Sequence, residues 1–291
     1  VWISKRFNLP MLSEVNAPLY QERSRFGGLR LKKLALWSQR YVWRNADFVL
    51  PVTEVLADYV KETGVPDERI EVVHNGIDLG RFAKSSDKAE RKRKLGLEGK
   101  VVLGFTGFVR DWHGLDAVVE LLGQPGLEDS ALLLVGDGPA RADLERQARD
   151  LGVQHRFKVT GVVGRDRLAE YLDAFDIALQ PASVLYASPL KLFEYMAIDA
   201  AIIAPRQENI QEIMTDGRDA LLFDTGAAAD FRDKLEVLFG DSELRDILSK
   251  GAARTLTSKG FNWQSNAKRF AARFRQLLGR NETVERAVSF D

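Results

Sequence analysis

The chain has no cysteine in 291 residues, which excludes a disulfide framework, a thiol nucleophile and a thiolate metal site. It also lacks any apolar run long enough to span a bilayer, and no stretch reads as a signal peptide. Asp-x-Asp is absent, so a dedicated divalent-metal clamp is not visible. There is no Gly-x-x-x-x-Gly-Lys-Ser/Thr loop, which argues against a P-loop NTPase. Three histidines (74, 113 and 155) are too scattered to form a metal cluster. Net charge is zero, so no polyelectrolyte partner is implied for the chain as a whole. The charge is uneven, however: residues 1–50 hold nine Lys or Arg against three acids, a local +6. Apolar content of 45% and charged content of 29% suit a globular chain with ample core.

What is present is an alternation of strand-like and helix-like segments. The chain opens on Val1 in strand-like sequence, and its beginning is expected to be absent. A strand is expected at Met11–Val15, a mobile loop over 22–28 and a basic amphipathic helix from Leu29 to Arg44. That helix reads either as a solvated domain helix, the commoner case, or as a face lying on an anionic membrane. Asp47–Val52 reads as a strand, and Thr53 as the N-cap of a helix Glu54–Thr63 stopped by Gly64 and Pro66. Ile70–Val73 reads as a strand ending in His74-Asn75-Gly76-Ile77-Asp78, where Asn-Gly marks a tight turn with positive φ. The charged stretch at 78–98 is expected to hold a domain junction. Further strands are expected at Val101–Phe105, Ala131–Val135, Phe157–Thr160, Asp176–Gln180, Ala200–Ala204 and Ala220–Phe223, separated by helices. Three helices follow, near 227–239, 242–257 and 262–279, with 281–291 a frayed tail. Continuous apolar strands alternating with helices predict a parallel sheet covered on both faces. Ligands of such sheets bind at the carboxyl ends of the strands.

Three stretches at strand ends carry candidate chemistry. In Tyr186-Ala187-Ser188-Pro189-Leu190-Lys191-Leu192-Phe193-Glu194-Tyr195-Met196-Ala197, Ser188 and Pro189 read as a helix start. Lys191 and Glu194 interrupt an otherwise apolar helix and, three apart, share a face. Two readings stand open: phosphate at Ser188–Lys191 with ribose on Glu194, or a core helix whose Lys and Glu pair with each other. The loop Gly104–Gly114 has glycines for close approach, Arg110 for bidentate phosphate contact and His113 as a hydrogen-bond donor; a surface Arg and a capping His are the plain alternative. Gly136-Asp137-Gly138-Pro139 fails as a dinucleotide fingerprint, because its third glycine falls on Arg141, and reads as a structural turn.

Together these segments, with Ala46-Asp47…Val52-Thr53 and Asn209-Ile210-Gln211-Glu212-Ile213, resemble the retaining, nucleotide-sugar-dependent glycosyltransferases of the group-one (family four) type. The match is in register from about residue 10 to 278. The resemblance implies an α/β GT-B fold of two Rossmann-like parallel-sheet domains, the first incomplete. Its divisions would be 1–80 (acceptor-side domain), 81–262 (donor domain), 263–280 (a closing helix returning to the first domain) and 281–291 (tail). It implies that Glu194 holds the donor ribose and that Ser188, Pro189, Leu190 and Lys191 meet the diphosphate and sugar. Arg110 and His113 fall where the family places an Arg and a Lys on the diphosphate, with Gly107 beside them; Thr160, Gly161 and Val162 fall where main chain meets the base. Asn75, Gly76 and Tyr186 fall near the cleft. Two departures stand out: the family's commoner first glutamate falls on Tyr186, and His113 replaces a lysine, a weaker counter-charge. Leaving-group stabilisation would rest on Arg110, His113 and Lys191. The co-substrate would be a nucleotide-diphosphate sugar, with no cofactor and no metal required, and the acceptor a glycan, lipid-linked or small molecule. No nucleic-acid partner is implied. The expected setting is bacterial cell-envelope polysaccharide assembly, in the cytoplasm or peripheral at the inner membrane face. A GT-B sugar-nucleotide epimerase and a non-catalytic nucleotide-sugar-binding module are the alternatives.

Overall fold

The computed structural model describes residues 1–82 and 87–288, and the chain divides into two units. The first comprises Val1–Gly76, Leu185–Ser188 and the segment from Phe261 onward; the second comprises Ile77–Val184 and Pro189–Gly260.

In the first unit the order is α1 (Trp2–Phe7), β1 (Leu12–Val15), α2 (Leu19–Phe26), α3 (Lys32–Asn45), β2 (Phe48–Pro51) and α4 (Glu54–Lys61). β1 and β2 pair in parallel. Thr53 caps α4 as expected, its hydroxyl accepting the Leu56 N–H at 3.1 Å. Val49 packs with Val15, Trp43, Leu56 and Val60. Its neighbours Phe48 and Leu50 join a separate cluster, so β2 is buried on both faces.

Three expectations for this unit are corrected. The opening residues form α1 and not a strand; Asn8 ends it in the left-handed region. The segment 22–28 is not a loop, because α2 runs to Phe26 before Gly27 breaks it at φ 88°. Gln-Glu-Arg-Ser-Arg contains good helix formers, and Gln39 Oε1 accepts the Tyr20 N–H at the helix start (2.9 Å). Ile70–Val73 lies along β2 but forms only an isolated bridge at Ile70. Glu71 and Val73 donate to the Val49 and Pro51 carbonyls (3.1 and 2.9 Å), while Pro51 has no N–H to donate in return.

The second unit contains α5 (Lys88–Lys94), β3 (Val101–Thr106), α6 (Leu115–Leu122), β4 (Ser130–Val135), α7 (Arg141–Asp150), β5 (Phe157–Val159), α8 (Leu168–Leu172), β6 (Ile177–Leu179), α9 (Leu190–Ala197), β7 (Ala201–Pro205), α10 (Glu208–Gln211), β8 (Leu221–Phe223), α11 (Ala228–Gly240) and α12 (Ser242–Ser258). The described strands lie in the order β5-β4-β3-β6-β7-β8, and every pair is parallel. Leu103, Phe105, Leu132, Leu134, Ile177 and Ile203 are buried at its core.

The chain runs outward from β3 to β5, then returns to place β6 on the other side of β3. The loops after β3 and β6 therefore diverge, and a crevice opens at their carboxyl ends. β6 leads to α9 through residues 180–189, of which Leu185–Ser188 belong to the first unit.

The last helix, α13 (Trp263–Val288), belongs to the first unit, where Phe270 and Leu277 pack on Phe48, Leu50 and Val73. The expected frayed tail is helical as far as Val288; its last residues, 289–291, lie outside the described residues.

Candidate functional site

The site is built around the attachment of α9 to the end of β3. Tyr195 is fully buried in α9, and its hydroxyl accepts the Thr106 N–H at 3.0 Å. The Phe175 ring packs edge-on to Tyr195, with centroids 6.1 Å apart. Gly104 leaves room for that ring: a Cβ there would lie inside the ring's van der Waals envelope. Tyr195 is four residues after Lys191 and so shares its helix face. Fixing Tyr195 on Thr106 thereby aims Lys191 at the mouth of β3.

The Lys191 ammonium lies 3.9 Å from the centre of the buried Phe105 ring. It also lies 3.5 Å from where a Cβ on Gly107 would stand, at a glycine with φ +129°. Burial pushes the Lys191 ammonium down to about 7, with Glu194 opposing. Burial pushes the Glu194 carboxyl up to about 7, with Lys191 and then Arg165 opposing. Among the described residues neither side chain makes a hydrogen bond or an ion pair, so the self-paired reading of this helix is not what the fold adopts. A half-buried cation and a half-buried carboxylate, both short of partners, are costly unless a ligand supplies what is missing.

The first residues of the loop after β3 are held on the neighbouring β4 turn. Gly107 N–H donates to the Val135 carbonyl (3.0 Å) and Val109 N–H to the Asp137 carbonyl (2.9 Å). Gly136 and Gly138 have no room for side chains, since a Cβ on either would collide with the backbone of Gly107 or Val109. The failed fingerprint is thus a turn whose glycines admit this loop.

His113 is buried, stacked on Trp112 at 4.0 Å and edge-on to Phe105 at 5.1 Å. Its Nδ1 accepts the Arg110 N–H at 3.0 Å, which leaves the proton of the neutral ring on Nε2. Burial, and secondarily the Lys191 charge, hold its pKa down to about 4. The expected counter-charge at His113 is therefore corrected: at neutral pH it offers a hydrogen-bond donor and no charge. Arg110 is exposed, with its guanidinium 5.0 Å from the centre of the Phe108 ring.

Thr160, Gly161 and Val162 follow β5. Thr160 N–H donates to the Leu134 carbonyl at 3.0 Å, Gly161 bridges Gly136, and Val162 is 86% exposed. Gly107, Gly136 and Gly161 thus adjoin along one rim of the sheet.

The remaining residues fall elsewhere. Pro189 stands at the N-cap position of α9 and makes no side-chain cap; Leu190 opens the helix and is exposed. Ser188 does not cap it either, because its hydroxyl accepts the Asn75 N–H (3.4 Å) while its carbonyl accepts from the Asn75 amide (2.9 Å). In the same unit the Tyr186 carbonyl accepts from the Thr53 hydroxyl (3.0 Å), and its phenol donates to Glu22 (3.1 Å). Gly76 does not have a positive φ, so the tight-turn expectation is corrected. It is glycine because a Cβ would stand 2.7 Å from the Asn262 backbone. Sequence reasoning missed Phe105 and Tyr195. The available signal was the four-residue spacing of Tyr195 from Lys191.

A family model described as "Glycosyl transferases group 1" matches residues 92–241, and one described as "Glycosyl transferase 4-like domain" matches residues 1–76. A glycosyltransferase of Methanocaldococcus jannaschii is 22% identical over 244 residues, covering 82% of this chain and 61% of the relative. The lipopolysaccharide core biosynthesis glycosyltransferase LpsE of Rhizobium meliloti is 29% identical over 237 residues, covering 80% and 66%. The chain thus spans less than two thirds of the length of these curated relatives. The crystal structure of Anabaena HepE in complex with UDP superposes with a TM-score of 0.80 at 17% identity, covering 94% of this chain and 74% of that one.

Proposed function

The chain belongs to the group 1 glycosyltransferases, whose family model covers residues 92–241, and on that premise we propose that the crevice between β3 and β6 binds the nucleotide diphosphate of an activated sugar, which the whole protein transfers to an acceptor with retained configuration. The observation that carries this reading is the pair Lys191 and Glu194 in α9, half-buried and, among the described residues, without a hydrogen bond or ion pair; Lys191 meets only the face of the Phe105 ring. Lys191 faces the diphosphate, supported by the first N–H groups of α9 and by His113 Nε2–H; Arg110 swings from Phe108 to the same oxygens. Glu194 accepts the ribose hydroxyls, and the main chain at Thr160–Val162 meets the base. Catalysis rests on stabilising the departing diphosphate. UDP, the ligand in the HepE complex, is the first nucleotide to try.

Thermal unfolding with UDP, GDP and ADP tests the site. One nucleotide should raise the melting temperature, and Glu194→Ala should remove most of that rise, since a hydrogen bond to a charged group contributes about 1.5–3 kcal/mol. No rise with any nucleotide would refute the site, and a full rise in Glu194→Ala would refute the ribose assignment. Release of free sugar from the donor separates a transferase from a passive holder.

We also propose a peripheral contact with anionic membrane through α1 and α3. Trp2, Ile3, Phe7, Leu34 and Trp37 are exposed there, interleaved with exposed Lys5, Arg6, Lys33 and Arg40. No described helix is long and apolar enough to cross a membrane. Co-sedimentation should be strong with phosphatidylglycerol vesicles and weak with phosphatidylcholine. Equal sedimentation with both would remove the electrostatic basis of this contact.

A further inference from the structure

The outer side of the loop after β3 carries features that nucleotide binding does not use. The loop is held by its hydrogen bonds to Val135 and Asp137 and by the buried side chains of Val109 and His113. Even so, Phe108 and Trp112 remain 59% and 51% exposed. Their exposure is therefore imposed by the fold and is not a by-product of a loose loop. Beside them, between the first turns of α6 and α7, lies a cavity of about 220 Å³, roughly seven water volumes. Its floor is apolar, formed by Leu115, Ala140 and Leu144, and its rim carries Arg110, Asp111 and Asp116, with Gln147 and Asp143, the latter paired with Arg146, beside them. Among the described residues the Asp111 and Asp116 carboxylates and the Arg110 guanidinium make no hydrogen bond or ion pair.

The chemistry of this lining is selective. Two free carboxylates against one guanidinium disfavour a phosphate or another anion. A charged rim around a shallow apolar floor disfavours an alkyl chain, which would desolvate the rim without satisfying it. A neutral pyranose ring satisfies both parts: its C–H face covers the floor, and its hydroxyls donate to the carboxylates and accept from the guanidinium. We propose that this cavity is a carbohydrate subsite taking one pyranose unit, with Phe108 under Arg110 extending its wall. The subsite shares Arg110 with the nucleotide reading, which takes that guanidinium to the diphosphate, but its apolar floor and its Asp111 and Asp116 acceptors stand whether or not that reading holds.

Saturation-transfer NMR on the full chain tests it, without nucleotide and with the methyl α-pyranosides of glucose, galactose, mannose and N-acetylglucosamine as probes. At least one should receive saturation from the wild-type protein. Asp116→Leu removes a hydroxyl acceptor at an exposed position, and Asp143→Trp, also exposed, places bulk over the cavity; each should abolish the transfer. The melting temperature without nucleotide, and the shift given by UDP in separate samples, should be unchanged in both variants, which reports folding and keeps the nucleotide site separate. No transfer to any pyranoside, or equal transfer in wild type and both variants, would overturn the proposal.

Discussion

Replacing Lys191 with methionine should weaken UDP binding by about 2–3 kcal/mol, the magnitude of a charge-assisted hydrogen bond, or roughly 30- to 150-fold in affinity. Methionine keeps the apolar stem beside Phe105 and removes only the ammonium, so the fold should persist. The same residue should give the binding its pH dependence. Burial holds the free ammonium at about 7, whereas the bound diphosphate favours the charged form. Binding above pH 7 therefore takes up a proton, and affinity should fall as pH rises, approaching tenfold per unit. Glu194 also titrates near 7, so the profile is best measured in a Glu194→Gln background; His113, held at about 4, stays neutral throughout. Calorimetric titration from pH 6 to 9 provides the check. A flat profile in Glu194→Gln, or an unchanged affinity in Lys191→Met, would mean that Lys191 does not face the diphosphate.

Gly104→Ala should be among the most destabilising single substitutions in the second unit. The strand at Gly104 pairs on both sides, with Leu133 and with Ala178, so the backbone cannot move away from an added methyl. The Phe175 ring is fully buried against Tyr195 and cannot swing to solvent. The expected cost is about 3 kcal/mol, at the upper end of overpacking, or a fall in melting temperature of roughly 10 °C. Because the collision is with one ring, Phe175→Leu should recover part of it, and the double variant should be more stable than the sum of the singles implies. Strict additivity would show that the glycine is needed for another reason. The same substitution should also reduce UDP affinity, because the ring braces the tyrosine that orients Lys191.

These two cases mark what the sequence made legible. The alternation of apolar strands and helices, the Thr53 cap and the importance of α9 all follow from local patterns: period, cap chemistry and charges inside an apolar helix. Contacts between residues distant in the chain do not. Ser188 reads as a cap from its neighbours, but Asn75, 113 residues away, takes its hydroxyl instead. Gly76 reads as a turn glycine, yet its reason is the Asn262 backbone. His113 reads as a weak cation until Phe105 and Trp112 close around it and burial removes the charge. α1 was hidden because Trp, Ile and Phe favour strands, and α2 because its two terminal glycines suggested a loop where they in fact end a helix.

We propose Lys191 and Glu194, on α9, as the two halves of a nucleotide-diphosphate site. A crystal structure of the chain soaked with UDP tests it most directly. Density for the diphosphate is expected against the first turn of α9 and within hydrogen-bond reach of Lys191 Nζ, with the ribose hydroxyls on the Glu194 carboxylate and the base against Gly161. UDP bound away from α9, or a Lys191–Glu194 ion pair with the crevice empty at saturating UDP, would contradict it.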